Sequence, residues 1–569
     1  MTSEETVRKS TGFAISMILI LAVGCTSLAV GCTSSAVPSP QTSGPADQGP
    51  VTPKVNRVVL ATAPPAIEAN DNRMVGQIDI VQLRPQNEFL IGFDAVSGKF
   101  TPELATEWKL EPDGKSFRFK LQRGVQFHKG FGEFTAKDLV FSHENLTRPD
   151  STQVEAPYWK RVVKKIDAVN DYEAVYNLEP DANFIHGISR AEGGMEVRSK
   201  ASFDKIGDPS FQTDPLAGTG PYQYKERKQG EYIRFERFDG YWGKAKPDFP
   251  EFEFRYVREP STRLAALLAR EIHLTPLPQD LLKNAEAAGM KVASGRVAGP
   301  RIVLRPYGPE IKDVENLDGP RVHPESPVGN PIVRKALQKA VNLEELNKSI
   351  FFGKGEIMYH DVLHPSRVGW DPKFEREYKS EYGYDLEAAK KLLADAGFTA
   401  AKPLETNIVL IELAQFPGTA DVQEAVANYW RAAGVKVNLV QMDAVQRTAA
   451  TRALRLDNHW TIDGTSSDVH IYLQTRWGPS FPTGNITGHG GRDAEVTRQF
   501  LALRSELDDK KLDALYRKLG EEGWRKHMML NLLWLPAEAA YNPQIVADYV
   551  FPGAISGTWT HVENIKAAR

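Results

Sequence analysis

The chain has 569 residues, of which 41% are hydrophobic and 25% are charged, and its formal net charge is -3. This balance is typical of a soluble globular protein, and it excludes a disordered tail and a basic surface for nucleic acid. Because single hydrophobic cores stop growing at about 250 to 300 residues, we expect two or three domains.

The amino-terminal stretch has the pattern of an export signal. Arg8 and Lys9 precede an uncharged apolar segment, 11–24, which is followed by Cys25. A positive segment, an apolar segment and a small residue before the cleavage point are the parts of such a signal. The letters A-V-G-C resemble a bacterial lipobox, in which the cysteine is acylated with diacylglycerol and becomes the mature amino terminus. We therefore expect lipidation of Cys25, since two or three acyl chains hold a protein at a membrane where one does not.

Two alternatives to this interpretation remain open. The heptad LAVGCTS occurs twice, so Cys32 stands in a second A-V-G-C. An uncleaved helix over 11–31 would also be long enough, at about 20 residues, to cross a bilayer. Every one of these interpretations places the protein outside the cytoplasm, in the periplasm or at the cell surface. Since Cys25 and Cys32 are the only cysteines, the rest of the chain has no disulfide framework, zinc-thiolate site, iron-sulfur cluster or cysteine nucleophile.

A spacer follows the export signal. Residues 34–54 are rich in Pro, Ser, Gly and Thr and have too few apolar residues to pack, so they predict a flexible stalk. The sequence after the stalk holds no internal repeat, no low-complexity run and no second long apolar segment. We expect it to form one folded, water-soluble unit.

Short local signals in this unit predict mixed α and β structure. Pro112, Asp113 and Gly114 predict the turn of a hairpin, followed by an alternating strand over 117–121. Helix signals follow in chain order: Thr135 ahead of 139–146, Asn330 ahead of one long helix over 332–350, Asp385 ahead of 386–396, and a helix over 421–434 that leads into an alternating strand over 435–443. The last pair is typical of α/β layers.

Six short blocks resemble the family 5 bacterial extracellular solute-binding proteins, which are the oligopeptide, dipeptide and nickel receptors of ABC importers. The blocks occur in the order of that family: TPELATEWKLEPDGKSFRFKLQRGVQFHKG with FTAKDLVFS, AGTGPYQYKERKQGEYIRFERFDGYWG, STRLAALLAREIHL, NPIVRKALQKAVN, YDLEAAKKLLADAGF and EAVANYWRAAGVKVNL. The first block together with GTGPY is the most specific part. The resemblance extends from about Val55 to the carboxyl terminus.

The resemblance implies an α/β, periplasmic-binding-protein-like fold in which three domains form two lobes with a hinge. The ligand would be enclosed between domains I and III, and closure about hinge segments is a recognised switching mode. Two chain crossings would form the hinge, near 274–280 and near 533–536. The resemblance implies 55–90 with 190–276 and 537–569 for domain I, 91–189 for domain II, and 277–536 for domain III. These follow the lipoprotein signal peptide, 1–24, and the lipidated cysteine with its linker, 25–54, which the amino-terminal pattern predicts.

The resemblance also implies a binding residue. In oligopeptide and dipeptide receptors of this family, a W-x-x-D element of domain III supplies an aspartate that pairs with the α-amino group of the peptide. Trp460 and Asp463 stand at the matching positions, so we expect Asp463 to bind the amino group and Trp460 to pack on the ligand. A charge-assisted hydrogen bond of this kind contributes about 1.5 to 3 kcal/mol. The alternative is that Asp463 caps a turn with Gly464. The family continues with Asp-Pro, whereas Asp468 here precedes Val469, and no basic residue can be matched by motif to a peptide carboxylate.

The sequence therefore predicts a lipid-anchored substrate-binding protein that captures a short peptide or similar polar solute by hinge closure. We expect it to deliver this solute to the transmembrane subunits of an ABC permease, and to be a monomer without cofactor, metal site or nucleic-acid partner. An enzyme is not expected, since neither G-x-S-x-G nor H-E-x-x-H occurs. The open alternatives are an exported lipoprotein hydrolase and a receptor of the same fold for a nickel chelate, a sugar or an opine.

One histidine pair has the spacing of a metal site. His360 and His364 are four residues apart, as in a helical pair of zinc ligands. Pro365 and the glycines and prolines around it predict a loop instead of a helix. We therefore interpret both histidines as surface residues that bind no metal.

Overall fold

The computed structural model describes most of the chain after the stalk. The described residues are 52–65, 67–75, 79–94, 99–153, 155–182, 184–189, 193–295, 301–311, 316–365, 367–411, 418–465, 493–550 and 560–569. The predicted export signal, Cys25, Cys32 and nearly all of the stalk lie outside these ranges. Among the residues described, no helix is long and apolar enough to span a bilayer.

Short strands are distributed over the whole described part. In chain order they are β1 (Arg57–Thr62), β2 (Ile91–Phe93), β3 (Phe100–Pro102), β4 (Ala105–Leu110), β5 (Ser116–Leu121), β6 (Val163–Asn170), β7 (Glu173–Leu178), β8 (Tyr222–Lys228), β9 (Tyr232–Arg237), β10 (Glu251–Tyr256), β11 (Leu274–Thr275), β12 (Lys291–Ser294), β13 (Arg301–Tyr307), β14 (Glu310–Ile311), β15 (Arg321–Val322), β16 (Glu356–Ile357), β17 (Glu405–Leu410), β18 (Lys436–Gln441), β19 (His459–Thr465), β20 (Leu530–Trp534), β21 (Glu538–Tyr541), β22 (Val546–Tyr549) and β23 (Ile565–Ala567).

Helices occur in both halves of the described part, and the two longest lie in the carboxyl-terminal half. In chain order they are α1 (Ala136–Leu146), α2 (Ala156–Val162), α3 (Phe184–Ile188), α4 (Lys200–Ile206), α5 (Pro260–Leu268), α6 (Gln279–Ala287), α7 (Pro331–Lys339), α8 (Leu343–Ile350), α9 (Lys373–Glu381), α10 (Leu386–Asp395), α11 (Thr419–Ala432), α12 (Ala444–Arg452), α13 (Ala494–Arg504) and α14 (Asp509–Arg525).

The first domain is built on a sheet of seven strands in the order β12-β21-β11-β1-β10-β9-β8. The central strand β1 pairs in parallel with β10 and β11, and the other pairs are antiparallel. Val58 and Leu60 pack in one core cluster with the hairpin β22–β23, whereas Val59 and Ala61 pack with α5 and α6. Because both faces of β1 are covered, its sequence is a continuous apolar run instead of an alternating one.

The second domain is built on four antiparallel strands in the order β4-β5-β7-β6, against which α1, α2 and α3 pack. The predicted hairpin is confirmed, since β4 pairs with β5 and Asp113 accepts hydrogen bonds from the backbone of Lys115 and Ser116 in the turn. The helix signal at Thr135 is confirmed as well. The backbone N–H of Thr135 donates to Asp138 in the first turn of α1.

The third domain is built on six strands in the order β16-β20-β13-β19-β17-β18. Helices α7, α8, α10 and α11 pack on one face, and α9, α13 and α14 pack on the other. The predicted caps at Asn330 and Asp385 are confirmed, because each side chain accepts a backbone hydrogen bond. The prediction of one helix over 332–350 is wrong. α7 ends at Lys339 and α8 begins at Leu343, since the Asn342 side chain accepts a hydrogen bond from Glu345 and starts a new helix.

Two chain crossings connect the seven-stranded and six-stranded domains. Strand β12 pairs with β21, so α6 and β12 belong to the seven-stranded domain and the first crossing comes after Gly295, before Arg301. The prediction of a crossing near 274–280 is wrong. Pro276 and Pro278 follow the end of β11, but the chain then continues into α6 and β12 of the same domain. The second crossing lies between Trp534 and Glu538. The backbone N–H of Gly295 donates to the carbonyl of Ala537 at 2.8 Å, so the crossings begin side by side.

The seven-stranded and four-stranded domains share a buried polar cluster, which we call the domain junction: Arg84, Glu88, Glu103, Tyr241 and Trp242. The Tyr241 hydroxyl and the Trp242 Nε1 donate to the two carboxyl oxygens of Glu88 at 3.0 and 2.7 Å. Nη2 of Arg84 lies 3.2 Å from Oε1 of Glu103. Burial, and next the negative charge of Glu103, raise the pKa of Glu88 to about 8. We call these two domains together lobe A and the six-stranded domain lobe B.

Candidate functional site

The carboxyl ends of three parallel strands lie at one edge of the six-stranded sheet. Strand β17 pairs in parallel with β18 and β19, and these strands end at Leu410, Gln441 and Thr465. Because β13 is antiparallel to β19, Arg301 at its start lies opposite Thr465, and Trp534 at the end of β20 pairs with Arg301. Ligands of open α/β sheets bind in the crevice outside the carboxyl ends of the strands. This edge is therefore the candidate site.

The seven-stranded sheet presents a matching edge. Its parallel strands β1, β10 and β11 end at Thr62, Tyr256 and Thr275. Strand β21 is antiparallel to β11, so it begins at this edge with Glu538, which pairs with Ser294 at the end of β12. Both crossings therefore run from the carboxyl edge of one sheet to the carboxyl edge of the other. We therefore take these two edges together as the candidate site.

The segment that follows β1, residues 67–70, is bound to the hairpin β8–β9. Arg227, at the end of β8, is buried and donates from Nε to the Asn70 side chain at 2.9 Å and from Nη2 to the Ala69 carbonyl at 3.1 Å. Its Nη1 lies 3.4 Å from the carboxylate of Glu68, which also accepts a hydrogen bond from the backbone of Gly230 at 2.8 Å. These bonds attach the segment to the hairpin β8–β9.

Asp463 lies near the carboxyl end of β19, on the same face of the sheet as Arg305. Nη1 of Arg305 lies 3.8 Å from Oδ2 of Asp463, and the side chains are 7% and 14% exposed. Arg305 also donates to the Tyr307 hydroxyl, and its Cζ lies 4.9 Å from the centre of that ring. The alternative that Asp463 caps a turn with Gly464 is wrong, because β19 continues through both residues to Thr465. The site thus holds a carboxylate beside a guanidinium.

Trp460 lies on the opposite face of the same strand. Residues three apart in a strand point to opposite faces, so the side chains of Trp460 and Asp463 cannot meet. The Trp460 ring is fully buried in the core below α7 and α11. Its centroid lies 5.2 Å from the centroid of the Trp430 ring. The expectation that Trp460 packs on a ligand does not fit this position. Its place in the structure is that of a core residue.

A second arginine lies on β13, four residues before Arg305. Arg301 is fully buried, its Cζ lies 5.5 Å from the centre of the Trp534 ring, and its Nη1 donates to the Val362 carbonyl at 3.4 Å. Burial raises the pKa of Asp361 to about 7, and the charge of Arg301 opposes this rise. The candidate edge therefore carries two buried cations on one face of one strand.

His360 and His364 lie in a loop, as predicted, but the prediction that they are surface residues is wrong. His360 is fully buried, donates from Nε2 to the Gly520 carbonyl at 3.0 Å and accepts two backbone hydrogen bonds at Nδ1. Burial lowers its pKa to about 3, so the ring is neutral. The His364 ring lies edge-on to Trp534, with centroids 5.1 Å apart. Within the ranges described, no three His, Cys, Asp or Glu side chains are grouped so as to hold a metal ion.

Sequence reasoning missed the arginines of the candidate site. Arg301 and Arg305 interrupt the apolar run RIVLRPY at positions of equal parity, which places both on one face of a strand. Lys and Arg are almost never fully buried unless they are paired, so two arginines in such a run are a signal for a buried charged site. The pairing of Arg305 with Asp463 could not be found in this way. It depends on the register of β13 with β19, which brings distant parts of the chain together.

Comparison with known proteins gives a consistent result. The sequence model of the family described as "Bacterial extracellular solute-binding proteins, family 5 Middle" matches residues 99–485. A curated relative, the dipeptide-binding protein of Escherichia coli (strain K12), is 25% identical over 380 residues, which is 62% of this chain and 65% of that protein. The alignment thus spans just under two thirds of the relative's length.

Solved structures share the fold over nearly their whole length. The periplasmic binding protein DppA of Helicobacter pylori, in complex with the peptide STSA, has 22% identity and a TM-score of 0.67 over 90% of this chain and 98% of that one. NikA of Brucella suis, in complex with Fe(III)-EDTA, has 20% identity and a TM-score of 0.71 over 90% and 99%. The predicted fold class, a periplasmic-binding-protein-like α/β fold, is confirmed by these similarities.

Proposed function

This chain belongs to the family 5 bacterial extracellular solute-binding proteins, and from that premise we propose that it captures a short peptide, or a similar polar solute, and delivers it to the transmembrane subunits of an ABC permease. Capture of this kind needs a shaped crevice with a few polar partners and a change between open and closed states. It needs no catalytic residue, because the solute is released with its bonds unchanged.

The observation that carries this proposal is the meeting of two carboxyl edges at the chain crossings. Lobe A contributes the ends of β1, β10 and β11, and lobe B contributes the ends of β17, β18 and β19. In the part of the chain that the structure describes, the backbone passes between the lobes near Gly295 and near Ala537. Rotation about these segments opens and closes the crevice between the edges, which is hinge motion of a recognised type.

We place the solute against Asp463 and Arg305. Asp463 would accept the α-amino group of a peptide, and Arg305 would donate to a carbonyl or carboxylate oxygen, so the pair matches a ligand that carries both charges. Their separation of 3.8 Å exceeds hydrogen-bond distance, so the two side chains do not form a close bidentate pair. Trp460 has no part in this proposal, because its ring lies in the core.

A calorimetric titration tests this site. We expect Asp463→Asn to weaken binding of the best peptide about tenfold or more, since the substitution removes the charge that meets the amino group. The matched control is Asp457→Asn, because Asp457 lies in the turn before β19 and its side chain is 41% exposed beside His323. Equal affinities for the two variants would place the amino group elsewhere.

The identity of the solute is best found by a thermal-shift screen of peptides, metal chelates, oligosaccharides and opines, since a ligand of the native state raises the melting temperature. The complex of the Brucella suis relative with Fe(III)-EDTA supports the inclusion of chelates. If chelates alone raise the melting temperature, the solute of this protein is a metal chelate and not a peptide. Product formed from any member of the panel would instead favour the exported hydrolase.

We also propose that the mature protein begins at a lipidated Cys25 and is tethered at the cell membrane through this anchor. The proposal is supported by the A-V-G-C pattern after an apolar segment. Mass spectrometry of the mature amino terminus tests it. A diacylglyceryl group on Cys32, or an unmodified chain that begins upstream of Cys25, would contradict it.

A further inference from the structure

The contact between the four-stranded domain of lobe A and lobe B includes a buried carboxylate, Asp181. Nε of Arg504, the last residue of α13, lies 3.0 Å from Oδ2 of Asp181. The Asp181 side chain is fully buried, whereas that of Arg504 is 25% exposed. Asp181 follows β7 and Arg504 ends a helix of the six-stranded domain, so this ion pair joins the two lobes.

Asp181 has partners on its own side of the contact as well. Nη2 of Arg161 lies 2.8 Å from the same carboxyl oxygen, and the Tyr158 hydroxyl donates to the other oxygen at 3.4 Å. Both residues belong to α2 and its surroundings in lobe A. A buried charge that loses its only partner costs about 3 to 5 kcal/mol. Because Arg161 belongs to the same lobe as Asp181, separation of Arg504 does not leave the buried carboxylate without a partner.

Backbone and apolar groups extend the contact. The backbone N–H of Ala182 donates to the carbonyl of Arg504 at 2.7 Å. The Ala182 side chain is buried in the same cluster as Phe500 and Leu503 of lobe B, and Leu507 of lobe B packs against the core of the four-stranded domain. None of these residues belongs to either chain crossing. A rotation of lobe B about the crossings therefore has to separate them.

We propose that Asp181 and Arg504 form a closure contact that stabilises the closed arrangement of the lobes before any solute is bound. The proposal rests on the proposed function in one respect, namely that closure of the crevice captures the solute. The closure contact itself does not depend on the solute. Asp181 already pairs with Arg161 within lobe A, and it receives Arg504 as a second arginine when the lobes meet. The pair thereby sets the fraction of closed molecules and the rate at which a bound solute leaves.

The test is single-molecule energy transfer between dyes on the two lobes, measured without solute. The full chain would carry Cys25→Ser and Cys32→Ser, and dyes at Val169→Cys in lobe A and Tyr384→Cys in lobe B, which are 52% and 50% exposed. We expect Arg504→Ala to lower the ratio of closed to open molecules about fivefold, since it removes a charge-assisted hydrogen bond to a buried carboxylate.

The matched control is Arg498→Ala on the same helix, because the ion pairs described for Arg498 are with Asp318 and Glu495, which are exposed and belong to lobe B. This variant should keep the ratio of the parent. Equal ratios for the two variants, or a parent without a closed population, would overturn the closure contact. Since no solute is present, this result does not depend on the thermal-shift screen. If Arg504→Ala changes the ratio of closed to open molecules but the screen finds no ligand, the closure contact is kept and peptide capture is rejected.

Discussion

The four-stranded domain touches its two neighbours in different ways. At the domain junction with the seven-stranded sheet, Glu88 is buried and receives hydrogen bonds from Tyr241 and Trp242, while Arg84 pairs with Glu103. At the contact with lobe B, a buried carboxylate meets an arginine that is 25% exposed. The first interface cannot separate without stranding buried polar groups. The second can, because the carboxylate keeps a partner of its own.

This difference is what the proposed hinge motion requires of a chain whose three domains form two lobes. Some interfaces contain buried polar groups whose only hydrogen-bond partners lie on the other side. Such an interface stays closed, since each group left without a partner costs about 1 to 3 kcal/mol, and more when it is charged. An interface whose charges are also satisfied on one side has a small difference in free energy between the joined and separated states. We expect the following changes to expose that contrast.

The largest effect is expected at Gly218, in the GTGPY block beside the domain junction. A methyl group at this position would lie 2.0 Å from the carbonyl oxygen of Gln86 and 2.5 Å from the side chain of Asn87. Because the nearest atom belongs to the backbone, it cannot turn aside, and we expect Gly218→Ala to cost more than about 4 kcal/mol in the free energy of unfolding.

The matched control for this substitution is Gly230→Ala in the β8–β9 turn. Gly230 has a φ of +75° but open space around it, so the replacement should cost only about 1 to 2 kcal/mol of backbone strain. Chemical denaturation measures both variants. Similar losses would show that the close approach at Gly218 is relieved by movement of the junction.

A smaller loss is expected for Arg84→Ala. The substitution removes the cation that lies 3.2 Å from Glu103 and also contacts the Asn87 carbonyl, so a buried carboxylate is left without its arginine. The expected loss in the free energy of unfolding is about 3 to 5 kcal/mol, measured by denaturation. A loss as small as that of Arg504→Ala would contradict the distinction between the two interfaces.

The domain junction should also make stability depend on pH. Burial raises the pKa of Glu88 to about 8 in the folded chain, well above the ordinary value of a glutamic acid. The folded state therefore holds a proton that the unfolded state has lost, and the free energy of unfolding falls as pH rises from about 5 to about 8, by up to about 1.4 kcal/mol per unit. Below pH 4 this contribution is fully present.

Glu88→Gln should remove this part of the pH dependence, because its amide cannot ionise. Glu107→Gln is the control, since Glu107 is exposed on β4 and pairs only with exposed Lys120 among the ion pairs described. Denaturation at a series of pH values compares the slopes. A slope that survives in Glu88→Gln would assign the pH dependence to another group.

The smallest effect on stability is expected for Arg504→Ala. Partly exposed ion pairs contribute about 0 to 1 kcal/mol to folding, and Asp181 keeps Arg161 after the substitution. The melting temperature of the variant should therefore lie close to that of the parent, even though its lobes are open more often. A large loss of stability would mean that the contact is part of the permanent framework.

Some of this architecture could be predicted because its signals are local. The turn at Asp113 and the helix caps at Asn330 and Asp385 depend on residues within three or four positions, and all were predicted correctly. The break at Asn342 was missed because the apolar pattern continues across it. A side-chain cap competes with that pattern, and here the cap prevails.

Features set by strand pairing could not be predicted in the same way. The first crossing was misplaced because β12 pairs with β21 from the far end of the chain. Arg305 was missed because only the register of β13 with β19 brings it to Asp463. The position of Trp460 could have been predicted, because residues three apart in a strand, such as Trp460 and Asp463, point to opposite faces of the sheet. That part of the candidate site was accessible from the sequence.

The central claim is that two lobes close around a polar solute without reacting with it. Small-angle X-ray scattering of the full chain tests this most directly, with and without the solute that gives the largest thermal shift. The account predicts a smaller radius of gyration in the saturated complex, and return to the original curve when the intact solute is removed by dialysis. Scattering curves that superimpose at saturation would contradict it.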